Sequence, residues 1–389
     1  MDVRTRLRDF KASIGPAWSE LKFTLRRIRK SPLSIVGIVI VMVYVIIAIS
    51  APLLAPAVDP RDPYAIFHDG YGPIPRPPGS PVLDSYVIGR GWMAHYFGTA
   101  EGQLDIYYGC IWGTRTAFRI GVLVVVISLL IGLLTGCLSG FYGGIIDEIL
   151  MRFTDVILAF PGLILAMALV IALPLSWSID IGFLILVILI LFAPILIGRF
   201  LKIGNIRAFM LSLLGLATFA ILYGWVLGNP LIYPWTLNLT NLDKVLIALA
   251  LVGWPSYARV IRGEILRVRQ EDYIEASKAV GCSDFRIITR HVLPNSIYPI
   301  VIMASLDIGS IVLTAAALSF LGIGAPVGFA DWGQMISFAR NWIWAGIENP
   351  WKYWYTFTIP GLFIFIFVLG WNLLGDAFRD ILDPTLRRK

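Results

Sequence analysis

Six apolar stretches of about 20 residues recur along this chain, beginning near Leu33, Ala117, Asp155, Asp243, Ser296 and Thr356, and each closes on a glycine, a proline or a charged cluster. A run of that length matches the hydrocarbon core of a bilayer crossed as an α-helix. Backbone groups surrounded by lipid must be satisfied within their own segment, so the runs predict an all-α polytopic membrane protein. Composition agrees. Of 389 residues, 58% are hydrophobic and 15% charged, with a mean hydropathy of +0.78, and a soluble domain of this length cannot hide so much apolar surface. Two further runs, 181–198 and 208–228, are separated by RFLKIGNIR. They read as an added helical hairpin at 181–228 and bring the expected count to about eight transmembrane helices.

Lys and Arg placement tests the threading. With the N-terminus inside, the tail, the loops near Gly140, Arg199 and Arg259 and the C-terminal end hold about 24 of the 32 basic residues, against about 8 in the external segments. This predicts a cell (inner) membrane protein with both termini cytoplasmic and an even number of spans. The expected organisation is a basic tail at 1–32, a first span at 33–55 and an external loop at 56–116. A multi-span membrane domain follows at 117–379, with a cytoplasmic loop at 259–295, an external loop at 322–355 and a short tail at 380–389. The 30-residue basic start is too long and too charged for an ordinary cleaved signal peptide, so the first span is expected to act as an uncleaved anchor.

The net charge of +7 does not indicate nucleic acid, because the basic residues flank apolar runs where they set orientation. Cys110, Cys137 and Cys282 have no metal spacing, and the two of them in or beside apolar runs are expected to act as small apolar residues. His68, His95 and His291 do not fall at metal-ligand spacing with carboxylates, so no metal site is expected. Trp332, Trp342, Trp344, Trp351 and Trp354 read first as an interfacial aromatic belt, with ligand stacking as the other reading. Asp307 stands about 10 residues into its apolar run, where a charge is expensive and rarely idle. It should face the bundle interior, either on a solute path or in an interhelix bond.

One segment breaks the apolar pattern. YIEASKAVGCSDFRIITRHVLPN, residues 273–295, is polar, charged and helix-compatible. Ile265, Val268, Tyr273, Ile274 and the residues from Ala276 to Ala279 suit a helix with one apolar face. Gly281 should end that helix in the left-handed conformation, Ser283 with Asp284 should cap a second short helix, and Pro294 should stop it and start the next span. Seven Lys and Arg between Arg259 and Arg290 alternate with Glu264, Glu271, Asp272, Glu275 and Asp284. The result is a two-helix protrusion able to pair charges with a partner protein, or else a solvated connection.

Glu275-Ala276-Ser277, then Gly281, then His291-Val-Leu293-Pro294 resemble the EAA loop of ABC importer permeases, with Ser277 in place of the second alanine. Further stretches narrow the resemblance to the dipeptide/oligopeptide group and its C-type subunit: SPLSIVGIVIVMVYVIIAISAPLLAP, GFYGGIIDEILMRFTDVILAFPGLILAMALV, LVGWPSYARVIRGEIL and NLLGDAFRDILDPTLRRK. The chain departs from the group's GTD..GRD pattern, having Gly98-Thr99-Ala100 through Asp105, and the 181–228 hairpin is an addition to the group's six-span form. The resemblance implies a type I importer core of six helices that works by alternating access. It also implies a second permease subunit, two ATPase subunits docked on the loop around Glu275 and Gly281, and an extracytoplasmic solute-binding protein. ATP and Mg would be held by the partner subunits, since no GxxxxGK[ST] loop occurs in this sequence. The chain itself would not be an enzyme. Peptides are the expected cargo, with oligosaccharides the alternative; a secondary transporter would require an internal duplication that the sequence does not display.

Overall fold

The computed structural model describes residues 31–173, 176–179, 235–343 and 351–382. Within them the chain builds α1 (Pro32–Leu54), β1 (Ser80–Pro81), α2 (Ser85–Ile88), β2 (Ala94–His95), α3 (Ile106–Tyr142), α4 (Gly144–Leu158) and α5 (Gly162–Ala172). After β3 (Ser176–Ile179) and β4 (Trp235–Asn238) come α6 (Asn241–Val268), α7 (Asp272–Ala279), α8 (Asp284–Ile287), α9 (Leu293–Phe320), α10 (Trp332–Ala339) and α11 (Tyr355–Leu382). Two compact units result. Ala172–Thr240 forms the smaller one, in which β3 and β4 pair antiparallel with Ser176 opposite Asn238. The hairpin expected at 181–228, the basic tail and Trp344 lie outside the described residues.

Among the described residues of the larger unit, five helices are long and apolar enough to cross a membrane, and the bent pair α4–α5 makes up to six. The fold is that of an all-α polytopic membrane protein. Two spans differ from the expectation. The run expected to begin at Ala117 extends back to Ile106, because the Asp105 carboxylate accepts the Tyr108 N–H at 2.7 Å and caps the helix there. At 37 residues α3 is about 55 Å long, so its first turns stand outside a bilayer. The third run, expected from Asp155, is broken: Asp155 lies within α4, and the chain bends by 92° before α5. Pro161 explains the break, since the residue before a proline is driven out of the α-region.

Glycines set the helix crossings. On α3, Gly132, Gly136 and Gly140 recur every four residues and meet α6, where an added Cβ would lie 2.5 Å from Tyr257 Cβ, 2.7 Å from the Ala258 carbonyl oxygen and 3.0 Å from Ile265 Cβ respectively. This small-residue stripe lets the two backbones approach, which is how helices associate where lipid offers no hydrophobic driving force. Gly37 of α1 does the same against Leu373, and Gly370 of α11 against Ile40.

Segment 56–105 folds over the N-terminal end of α3. Its aromatic residues pack on Tyr108 and Trp112, with Trp112 Nε1 donating to the Ala55 carbonyl at 2.9 Å and the Tyr108 hydroxyl to the Pro63 carbonyl at 2.7 Å. Beneath them lies a buried polar cluster. His95 bridges two fully buried carboxylates, Nδ1 at 2.6 Å from Asp105 and Nε2 at 3.1 Å from Asp69, and Arg76 pairs with Asp69. Burial pushes the Asp69 carboxyl up, but hydrogen bonds from His95, Arg76 and the Leu83 and Asp84 amides more than reverse this and hold it well below the usual range. At Asp105 burial wins and holds the carboxyl above its ordinary value.

The tryptophans do not form a uniform belt. Trp332 is 2% exposed and donates from Nε1 to the Cys110 carbonyl at 3.0 Å, with Gly113 leaving room for its ring. Trp342 donates to Glu101 at 3.1 Å and packs edge-on against Tyr353. Only Trp351 and Trp354, among the described tryptophans of that set, are exposed as an interfacial position would require.

Candidate functional site

At the end of the bundle opposite segment 56–105, the chain between α6 and α9 forms a rigid protrusion. Residues 269–271 separate α6 from α7, so the stretch read as one helix is two. Ile265, Val268, Ile274, Ile287 and Val292 are all buried and join the main core, which fixes the back of α7 and α8 to the bundle. Lys278 adds a contact over the Phe141 ring at 5.8 Å. The base is locked by charge: Arg262 holds Asp147 with two bonds of 2.6 Å, Ser139 donates to the same carboxylate, and Arg259 meets Asp155 at 2.6 Å.

Gly281 has φ of +84°. Its N–H donates to the Lys278 carbonyl at 2.9 Å and the Cys282 N–H to the Ser277 carbonyl at 3.1 Å, the paired bonds of a Schellman turn. A side chain at this backbone conformation is strained, so glycine sets the direction in which α8 leaves. The front is open. Glu275, Ala276, Gly281 and Asp284 are exposed and Ser277 is half-buried, its hydroxyl donating to the Tyr273 carbonyl at 2.7 Å. Among the described residues Glu275, Asp284, Arg286 and Arg290 form no ion pair, whereas Arg259, Arg262 and Arg267 are taken up inside the chain. The charge available to a partner is thus narrower than the sequence count suggests.

Two expectations fail at the second helix. Ser283 occupies the N-cap position but its hydroxyl makes no capping bond. Pro294 does not stop the helix. The chain passes from α8 through a π-helical turn, Ile288–Val292, directly into α9, with Pro294 in its first turn. A proline ring collides with the carbonyl four residues back in a regular helix, and the wider π turn relieves this without ending the rod. His291 and Leu293 are half-buried on this turn and Pro294 is exposed. The Asn295 amide donates to the His291 carbonyl at 2.7 Å.

Sequence reasoning missed two residues on the front. Val280 and Phe285 flank the turn and are 84% and 78% exposed. Phe285 precedes the buried Ile287 by two positions, which on a helix is about 200° of rotation and places it on the opposite face. That spacing was legible once Ile287 was known to point inward.

Asp307 lies mid-way along α9, partly exposed, away from this protrusion. Its carboxylate neighbours the buried Tyr257 hydroxyl of α6.

Comparison with known proteins places the chain. The family described as binding-protein-dependent transport system inner membrane component matches residues 205–388, and the N-terminal TM domain of oligopeptide transport permease C matches residues 19–70. The dipeptide transport system permease protein of Alkalihalophilus pseudofirmus is 30% identical over 97% of this chain and 93% of its own length. A probable D,D-dipeptide transport system permease protein of Escherichia coli strain K12 is 32% identical over 92% and 89%. A glutathione transport system permease protein of Pectobacterium atrosepticum is 29% identical over 76% and 74%. The chain therefore belongs to the binding-protein-dependent permeases of ABC importers, in their dipeptide and oligopeptide group.

Proposed function

We propose that this chain is the membrane subunit of an ATP-driven peptide importer and that the α7–α8 protrusion transmits ATPase closure to the spans. The observation that carries this reading is the contrast between the two sides of the protrusion. Its back is anchored by Ile274 and Ile287, both fully buried, while its front offers Glu275, Val280, Gly281 and Phe285 to a partner. A docked knob that continues without a break into α9 converts movement of the partner into tilting of that span, a two-state element biased from both ends.

The partners in this proposal are a second permease subunit, two ATPase subunits that hold ATP and Mg, and an extracytoplasmic binding protein. Hydrolysis takes place in the ATPase subunits. Both termini and the protrusion face the cytoplasm of an inner-membrane complex, as the distribution of Lys and Arg supports. Peptide cargo is supported by the dipeptide, D,D-dipeptide and glutathione systems of the relatives. Asp307 is assigned to the solute path.

The test co-purifies the full complex with two variants of this chain. Phe285→Ser alters a solvent-exposed ring and should keep the melting temperature, since surface changes stay within about 0.5 kcal/mol, while weakening ATPase association by about tenfold or more, as loss of an interfacial aromatic anchor does. Gly281→Val should uncouple hydrolysis from uptake. Unchanged association and unchanged transport-linked hydrolysis in both variants would overturn the docking role.

A further inference from the structure

The outward stripe of α9 carries chemistry of one sign. Asp307, Ser310, Thr314 and Ala317 follow at three- and four-residue steps, so they share one helix face. All four are exposed or partly exposed on this chain. The Ser310 hydroxyl donates to the Asp307 carbonyl at 3.0 Å, and the Thr314 hydroxyl donates to the Ser310 carbonyl at 2.8 Å. Both hydroxyl protons are therefore used within the helix, and what remains to face outward is lone pairs. A carboxylate and two hydroxyl acceptors form a stripe that receives hydrogen bonds and offers none.

Asp307 is the fifteenth of the 28 residues of α9, which places it near mid-span. A carboxylate facing hydrocarbon at that depth is costly, by about 2.5 kcal/mol or more. Its polar neighbour within the chain is the Tyr257 hydroxyl of α6, a neutral group that leaves the charge uncompensated, and no basic side chain pairs with it among the described residues. This face is consequently turned to an aqueous path or to a partner, not to lipid. One helical turn further along α9 begins a groove of about 380 Å³, lined by Ile311, Thr314 and Ala317 together with Gly162, Leu249 and Gly253. The groove is apolar except for Thr314. It suits a side chain, while the acceptors beside it suit a charged donor.

The geometry points to a subsite in which Asp307, backed by Ser310 and Thr314, receives the primary ammonium group of a peptide in transit while an adjacent side chain occupies the groove. This rests on the peptide-import reading above and adds to it a recognition chemistry within the membrane domain itself. A peptide's free amino terminus supplies three donors and one positive charge, matching a stripe made of acceptors alone. Asp307 would thus discriminate cargo by charge after delivery.

The experiment uses the whole complex in proteoliposomes, with a labelled dipeptide as probe. Asp307→Asn removes the charge and keeps the shape, whereas Asp307→Glu keeps the charge. Uptake should fall at least about tenfold in Asp307→Asn, the scale of one charge-assisted hydrogen bond, and recover to within about threefold in Asp307→Glu. Co-purification of all subunits should not change. A water-soluble carbodiimide should couple the dipeptide's amine to Asp307 in the wild-type complex during turnover, identified by mass spectrometry, and not in Asp307→Asn. Unchanged uptake in Asp307→Asn, or loss of the second permease from that variant's complex, would overturn the inference and leave peptide import standing; the latter would make Asp307 a partner of a cation on the neighbouring chain. A wild-type complex that moves no dipeptide would overturn the proposed function and this subsite together.

Discussion

Individual side chains in segment 56–105 couple its stability to pH in a direction that can be worked out. Asp69 is held well below the usual carboxylate range by His95, Arg76 and two amides, in spite of its burial. The stability it contributes is present above its unfolded value, about 3.9, and is lost as pH falls from there toward the folded value. Asp105 runs the other way: its raised value makes a contribution that is lost as pH rises through that value. Below about pH 3 the Asp69 effect decides, because Asp105 is by then largely protonated in both states. The melting temperature of the wild-type chain should therefore drop more steeply between about pH 4 and pH 2.5 than that of Asp69→Asn, which starts lower but has no carboxylate to protonate there. Scanning fluorimetry in detergent across that range checks it, and parallel slopes would mean that Asp69 is not the group responsible.

At the scale of elements, the contact between α3 and α6 depends on what is missing from Gly132, Gly136 and Gly140. A leucine at Gly136 would bring its Cβ to 2.7 Å from the Ala258 carbonyl, backbone that has no rotamer with which to yield. The helices would have to separate, forfeiting the packing on which association in lipid relies. Gly136→Leu should cost about 1–3 kcal/mol or more. Gly263 on the same α6 provides the control. It is exposed, lies inside the helix and has nothing within 4 Å of an added Cβ, so Gly263→Ala should be neutral or stabilise by about 0.4–1 kcal/mol. Thermal unfolding of the two purified variants measures the difference. Equal effects would show that the stripe is not what holds these helices together.

Across the whole molecule, the sequence disclosed what depends on composition and concealed what depends on individual contacts. The apolar runs identified α1, α6, α9 and α11 because twenty residues of hydrocarbon admit few alternatives. They could not show that Asp105 caps α3 twelve residues before its apolar run, since a cap is one side chain meeting one amide. They did not show that the π turn carries Pro294 through the helix, nor that His95 joins Asp69 to Asp105 from 26 and 10 residues away. On the protrusion, Gly281 was legible from its residue type, whereas Phe285 required knowing which way Ile287 points. Orientation is the property of the whole chain that rests most on charge counting, and the native cysteines supply a direct test. Cys110 is buried and Cys137 lies within α3, whereas Cys282 sits half-buried in the glycine turn. A membrane-impermeant maleimide should therefore label Cys282 in inverted vesicles and leave right-side-out vesicles unlabelled. Cys282→Ser should abolish the signal, and bound ATPase subunits should slow it, because the turn lies between the residues assigned to docking. Labelling from the outer side would reverse the topology and, with it, the side of the membrane from which this importer could be driven.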